Sequence, residues 1–295
     1  MTKCASMKSV TEEKTLVFLH IPKAAGTTLH RIIERQFPHN TIFSIDGANV
    51  QKSIDEFKNL REEQRRKIRC LKGHMPFGLH HHLPRPATYI TLLRDPVDRI
   101  ISHYYYVLRN PSHYLYNKVT SKNMNLSDYV SSGISAELTN GQTRLLSGTE
   151  KVDLVIGSEP GSAGILEIAK ENLQNYFVAV GLSERFDESL ILFKRTLGWR
   201  NVFYVKQNVA RIRPSKRDIP RKTIEIIEKH NQLDMELYEF AKQMFEEQIR
   251  KHGASFKDEL RTFQLLNRVY GPAWKACNLP RRGIGKIKNL LTRQR

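Results

Sequence analysis

Residues 15–28 read TLVFLHIPKAAGTT. Leu16–Leu19 is a short apolar run of the kind that forms a buried strand. Pro22, Ala24, Ala25 and Gly26 follow. They are small or restricted in φ, so the backbone can turn sharply there and approach a ligand closely. Beyond Thr27 the apolar residues Leu29, Ile32, Ile33 and Phe37 recur at helical spacing. The first unit is therefore strand, tight loop, helix. The start of such a helix offers unpaired N–H groups and a positive dipole end. Thr27 and Thr28 add hydroxyl donors, and Lys23 adds a cation at the loop crest. Together these residues describe a cradle for a phosphate-like anion, although a plain strand-to-helix turn with a threonine cap would use the same residue types. The loop is not a Walker A motif: Lys23 precedes Gly26 by three positions, and Thr27 stands where that motif has its lysine.

Further along, TYITLL at 88–93 reads as a second buried strand. Arg94 leaves its end, Asp95 caps a helix, and Pro96 takes the first helical position. Arg94 suits forked recognition of a phosphate, and Ser102, within the helix, can donate one more hydrogen bond. Pairing of Arg94 with Asp95 or Asp98 is the competing use. Two anion sites, each after a strand, suit a nucleotide phosphorylated at both ends. A charged helix is expected over 55–69 and two short helices, broken near Gly133, over 124–147. A helix over 162–175, a strand over 176–180, a helix over 186–197 and a strand over 201–205 follow, with helix in two pieces over 220–251. This alternation gives an α/β fold, a mostly parallel central sheet flanked by helices. Ligands in such folds bind beyond the carboxyl ends of the strands. The expected organisation is a disordered lead-in at 1–14, one domain at 15–255 and a basic extension at 256–295.

A chain of 295 residues, 40% of them hydrophobic, can bury one substantial core. The net charge is +18, concentrated in RIRPSKRDIPRK at 211–222 and RRGIGKIKNLLTRQR at 281–295. Such an excess favours polyanionic partners, with the tail read as a solvated surface. No apolar run has the length of a secretory signal or membrane span, so a cytoplasmic setting is expected. Cys4, Cys70 and Cys277 are far apart, which argues against a disulfide framework or zinc site. His80–His82 is read as loop on the acceptor side. The apolar stripe in 233–249 is read as core or partner-helix packing.

HIPKAAGTTL (20–29) resembles the 5′-phosphosulfate loop of sulfotransferases that use 3′-phosphoadenosine 5′-phosphosulfate (PAPS), and RDPVDRIISHYYY (94–106) resembles their 3′-phosphate segment. KGHMPFG (72–78), then a strand, then RDPVDR is similar to the Golgi-type glycan sulfotransferases. Within these it is most similar to the heparan sulfate 2-O branch, as are YFVAVGLSERFDESLILF and LDMELYEFAKQMFEEQI. The similarity runs over about residues 15–250.

The resemblance implies a P-loop-like nucleotide-binding sulfotransferase fold and an enzyme of the EC 2.8.2 type. PAPS would be the sulfuryl donor, the acceptor would be a hydroxyl, expected on a glycan, and no metal would be required. Lys23 would contact the sulfuryl group, and Pro22, Ala24, Ala25, Gly26, Thr27 and Thr28 would form the 5′ cradle. Arg94 and Ser102 would hold the 3′-phosphate, and Arg213 and Ser215 would lie where the family closes over the nucleotide. His74 takes the place of the catalytic base, while Lys72 replaces the first histidine of the branch's HGH string. The absence of an amino-terminal anchor from these residues suggests a soluble, bacterial or otherwise cytosolic, member. Two other readings use the same features: a P-loop-like nucleotide kinase, disfavoured by the spacing, and a non-enzymatic polyanion binder driven by the basic stretches. Nucleic acid is not an expected partner.

Overall fold

The computed structural model describes residues 13–149, 162–205 and 214–277. Its sheet has five strands: β1 (Thr15–Leu19), β2 (Ile42–Ile45), β3 (Cys70–Gly73), β4 (Ala87–Leu93) and β5 (Phe177–Leu182). They lie in the order β2-β3-β1-β4-β5, and every neighbouring pair is parallel. Parallel strands need crossovers, and these are largely helical. The described helices are α1 (Gly26–Ile33), α2 (Val50–Asn59), α3 (Glu62–Arg66), α4 (Pro96–Arg109), α5 (Tyr116–Ser121), α6 (Leu126–Ser131), α7 (Gly141–Ser147), α8 (Ser162–Tyr176), α9 (Phe186–Leu197), α10 (Arg221–His230), α11 (Gln232–Lys251) and α12 (Ala254–Cys277).

Covered on both faces, β1 is buried at every position, which is why it reads as an unbroken apolar run. The main core packs the sheet against Leu29, Ile32 and Ile33 of α1, Leu190 and Phe193 of α9, and Leu237 and Phe245 of α11. A second cluster, with no strand in it, joins Val97, Ile100 and Val107 of α4 to Val119, Tyr129 and Ile227. The stripe in 233–249 thus packs inward.

Register places the functional loops. Leu19 pairs with Gly73 on one side and Thr91 on the other, and Leu93 pairs with Leu182. The segments starting at His20, His74, Arg94 and Ser183 therefore leave the same edge of the sheet. β1 also separates the strands that follow it on one side, β2 and β3, from β4 and β5 on the other. Ligand crevices in open α/β sheets form at such a reversal.

Several expected elements differ. The charged helix at 55–69 is two helices, α2 and α3, and the chain then enters β3. The two short helices expected over 124–147 are present as α6 and α7, on either side of Gly133, with a 3-10 turn at Ala136–Leu138 between them. Asn201–Val205 is not a strand, because side chains take the main-chain groups that a neighbouring strand would use. Gln36 Nε2 donates to the Asn201 carbonyl, Arg35 Nη2 to that of Phe203, and the Tyr204 N–H donates to Asn267 Oδ1. The expected boundary at 255/256 falls inside α12, whose Phe256 and Phe263 are buried in the main core. Among the described residues no helix is long and apolar enough to cross a membrane.

Candidate active site

The loop after β1 is tightly wound. Lys23 and Ala25 both have positive φ, 67° and 60°, a left-handed conformation costing roughly 1–2 kcal/mol for a residue with a Cβ. Such strain persists where the surroundings enforce it, commonly at ligand clamps. Ala24 is fully buried beneath the turn. Gly26 opens α1, and a Cβ there would stand 1.9 Å from Nε2 of His20. The residue type is therefore dictated by the close approach of the histidine ring. Lys23 Nζ lies 3.6 Å from the centroid of the Tyr106 ring, a cation–π contact.

Arg94 joins the second loop to the first. Its Nη1 donates to the Lys23 carbonyl at 2.9 Å, and its Nε lies 3.9 Å from Glu184 Oε1. These partners stand in place of the pairing with Asp95 or Asp98. Asp95 instead accepts from the Asp98 N–H at 2.9 Å, capping α4, and from Lys216 Nζ at 3.3 Å. The Arg94 backbone is clasped on both sides by Gln142, whose Oε1 accepts from the Arg94 N–H at 3.0 Å and whose Nε2 donates to its carbonyl at 2.9 Å. Gln142 and Thr143 in turn donate main-chain N–H groups to the buried carboxylate of Asp234, at 3.1 and 2.8 Å. Arg99 pairs with that carboxylate at 3.5 Å, with both side chains at most 1% exposed.

His74 follows β3 directly. Its Nδ1 lies 2.9 Å from the His20 carbonyl. A carbonyl only accepts, so Nδ1 carries the proton and the neutral ring leaves Nε2 with a free lone pair. The ring stacks on His20 with centroids 4.1 Å apart. Burial, the largest influence, lowers the His74 pKa and Lys23 adds to this; the bond to His20 and the charge of Glu137 oppose it, and the net shift is below the usual 6.5. His74 is therefore a neutral base at ordinary pH.

One cavity of about 1280 Å³ is lined by Pro22, Lys23, Ala25, Gly26, Thr27, Thr28, His74, Arg94 and Ser102. The two expected anion sites and the expected base thus share a single space. Ser215 is not brought to it: the hydroxyl is exposed and donates to Asp218 Oδ2 at 2.8 Å. Arg213 lies outside the described residues. His80 donates or accepts across 2.8 Å with the Tyr89 hydroxyl, and its ring packs against Phe77 and Tyr176. The His80–His82 run, expected on the acceptor side, is therefore not part of the cavity wall.

The cavity also holds residues that sequence reasoning missed. Glu137 accepts from His103 Nε2 at 3.1 Å. Burial would raise its pKa, but the bond to His103 and the charges of His103, Arg99 and His74 bring it down to about 2, leaving a carboxylate. No motif or periodicity in the sequence singles it out. Glu184, opposite Arg94, sits at the end of β5, where the parallel-sheet rule could have found it.

Two loops with anion-binding residue types and an imidazole of fixed tautomer thus leave one strand edge of a parallel sheet, where nucleotide-binding α/β folds place their ligand residues. The sequence model of the galactose-3-O-sulfotransferase family matches residues 1–268, and the chain belongs to that family. It is 28% identical over 223 residues to a Drosophila melanogaster heparin sulfate O-sulfotransferase, covering 70% of this chain and 62% of that protein. A Caenorhabditis elegans heparan sulfate 2-O-sulfotransferase is 24% identical, covering 85% of this chain and 84% of the relative. Human heparan-sulfate 6-O-sulfotransferase 1 is 26% identical, covering 81% and 67%. The chain thus spans less than two thirds of the Drosophila relative's length.

Proposed function

We propose that this protein transfers a sulfuryl group from PAPS to a carbohydrate hydroxyl. The observation that carries the reading is the convergence of the Lys23–Thr28 cradle, Arg94, Ser102 and His74 on one cavity. The residues fit a donor with anions at both ends. Helix-terminal N–H groups, threonine hydroxyls and Lys23 form one donor set, Arg94 and Ser102 the other, and the Arg94–Lys23 bond at 2.9 Å fixes their relation. When bound, PAPS supplies an activated sulfuryl group on a nucleotide phosphate.

Each residue then has a physical task. Lys23 and the start of α1 stabilise negative charge at the 5′ end. Arg94 and Ser102 hold the 3′-phosphate. Neutral His74 takes the acceptor proton at Nε2 and its Nδ1–H stays bonded to the His20 carbonyl, which orients the ring. A base so placed supplies on the order of 10²–10⁴-fold in rate. The acceptor class follows from the family's description and from the relatives' names.

The test is radiolabelled transfer from PAPS onto a panel of neutral and anionic glycans, with magnesium-independent binding of adenosine 3′,5′-bisphosphate measured in parallel. Labelled glycan and tight nucleotide binding are expected. Neither label nor binding would end this reading, and ATP-dependent phosphorylation in its place would favour a kinase.

A further inference from the structure

Lys72 is a lysine in the middle of a parallel sheet, 5% exposed. Its Nζ lies 3.0 Å from Glu34 Oε1 and 3.2 Å from His30 Nδ1. His30 Nε2 lies 2.9 Å from His20 Nδ1. These contacts form one chain from the surface carboxylate Glu34 to the ring of His20, beside the nucleotide cradle.

The chain has a direction. A lysine ammonium only donates, and Glu34 keeps its charge: burial raises its pKa, but the hydrogen bond and charge of Lys72, with the charge of Arg31, bring it below the usual value. Lys72 therefore donates to His30 Nδ1, which must be bare. The proton of neutral His30 is then on Nε2 and is donated to His20 Nδ1. His20 in turn carries its proton on Nε2. Burial lowers the pKa of both rings, helped by neighbouring cations, His30 to about 3. Both stay neutral, and the argument concerns tautomers rather than charge.

The Nε2 edge of His20 lies against Gly26, the first residue of α1, and the ring lines the same cavity as Thr27 and Thr28. It has no hydrogen-bond partner among the described residues at that nitrogen. We infer that Lys72 is a positioning residue which, through His30, fixes His20 as an Nε2–H donor to an anionic oxygen at the 5′ end of the bound nucleotide. This rests on the sulfotransferase reading and adds His20 to its contacts. Bonds in such a chain polarise one another, so the buried ammonium strengthens a donor two residues away. The lysine that replaces the histidine of the HGH string thus acts behind the site instead of in it.

Imidazole ¹⁵N shifts of the full chain, with and without adenosine 3′,5′-bisphosphate, test this. His20 is expected to show a protonated Nε2 and a bare Nδ1, and its Nε2 resonance is expected to move on nucleotide binding. Lys72→Met should mix the tautomers of His20 and reduce nucleotide affinity about tenfold, the scale of a lost hydrogen bond to a charged group. Lys72→Arg, also a donor only, should keep the wild-type tautomer and most of the affinity. A wild-type His20 protonated at Nδ1, or an Nε2 resonance unmoved by bound nucleotide, overturns the inference whatever the variants do. A Lys72→Met protein with wild-type shifts or wild-type affinity overturns it too. Failure of the wild type to bind the nucleotide at all strikes the sulfotransferase reading instead.

Discussion

His74 can act as a base because its other nitrogen is committed to the His20 carbonyl at 2.9 Å. Removing the ring leaves the Lys23–Thr28 cradle, Arg94 and Ser102 in place, and His20 keeps its hydrogen bond with His30. His74→Ala should therefore bind adenosine 3′,5′-bisphosphate as the wild type does while losing on the order of 10²–10⁴-fold in turnover; unimpaired turnover would exclude the assignment. The pH profile gives a second reading. Catalysis needs the neutral ring, and burial holds its pKa below 6.5. The rate should stay flat as pH falls through neutrality and decline only below the ordinary histidine value, so a midpoint above 6.5 in kcat/KM would point to another group. Gly26 makes a steric prediction. The methyl of Gly26→Ala would meet His20 Nε2 at 1.9 Å, and that ring is held by its hydrogen bond with His30 and by its stacking on His74. It cannot simply swing aside. Overpacking of this kind costs about 1–3 kcal/mol, and here it falls on the cradle. Nucleotide affinity measured by calorimetry should drop roughly tenfold or more.

At the scale of elements, Asp234 on α11 gathers α4 and α7 behind Arg94. It accepts from the N–H groups of Gln142 and Thr143 and pairs with Arg99. Asp234→Asn leaves the Arg99 guanidinium buried without its counter-charge, and breaking such a pair costs about 3–5 kcal/mol. Urea unfolding should show that loss. Gln142→Ala should act closer to the site: it frees both main-chain groups of Arg94 and should weaken nucleotide binding by a larger factor than it weakens the fold. The sequence made some of this visible. β1, β4, α4 and α9 announced themselves through unbroken apolar runs, the Asp95–Pro96 cap and helical spacing, and with them the two anion loops. β2 and β3 did not, because IFSI and CLKG are four residues each and one contains a lysine. That lysine is tolerated only because His30 of α1 and Glu34 just past its end are its partners, a long-range fact with no local trace. The clasp of Gln142 on Arg94 joins positions 48 residues apart and was equally invisible.

For the whole molecule, α12 belongs to the core rather than to a separate extension. Phe256 and Phe263 are buried in the main core, and Glu259 forms ion pairs with both Lys194 and Arg195 of α9. The same helix supplies Asn267, which accepts from the Tyr204 N–H at 2.8 Å, and Gln264, which donates to Asp187 at 3.3 Å. Gln264, Asp187 and Tyr204 all line the cavity. A chain ending at 253 would therefore lose core and site wall together. Two buried phenylalanines represent about 3–6 kcal/mol of apolar burial, set against a net stability of about 5–15 kcal/mol for a typical domain. The shortened protein should unfold many degrees earlier in a thermal scan. Any fraction that remains folded should bind adenosine 3′,5′-bisphosphate more weakly, because Tyr204 has lost the partner that fixes its main chain. If residues from 254 were instead an appendage, both measurements would match the full chain. The burial of Phe256 beside α9 makes that outcome incompatible with the core as packed.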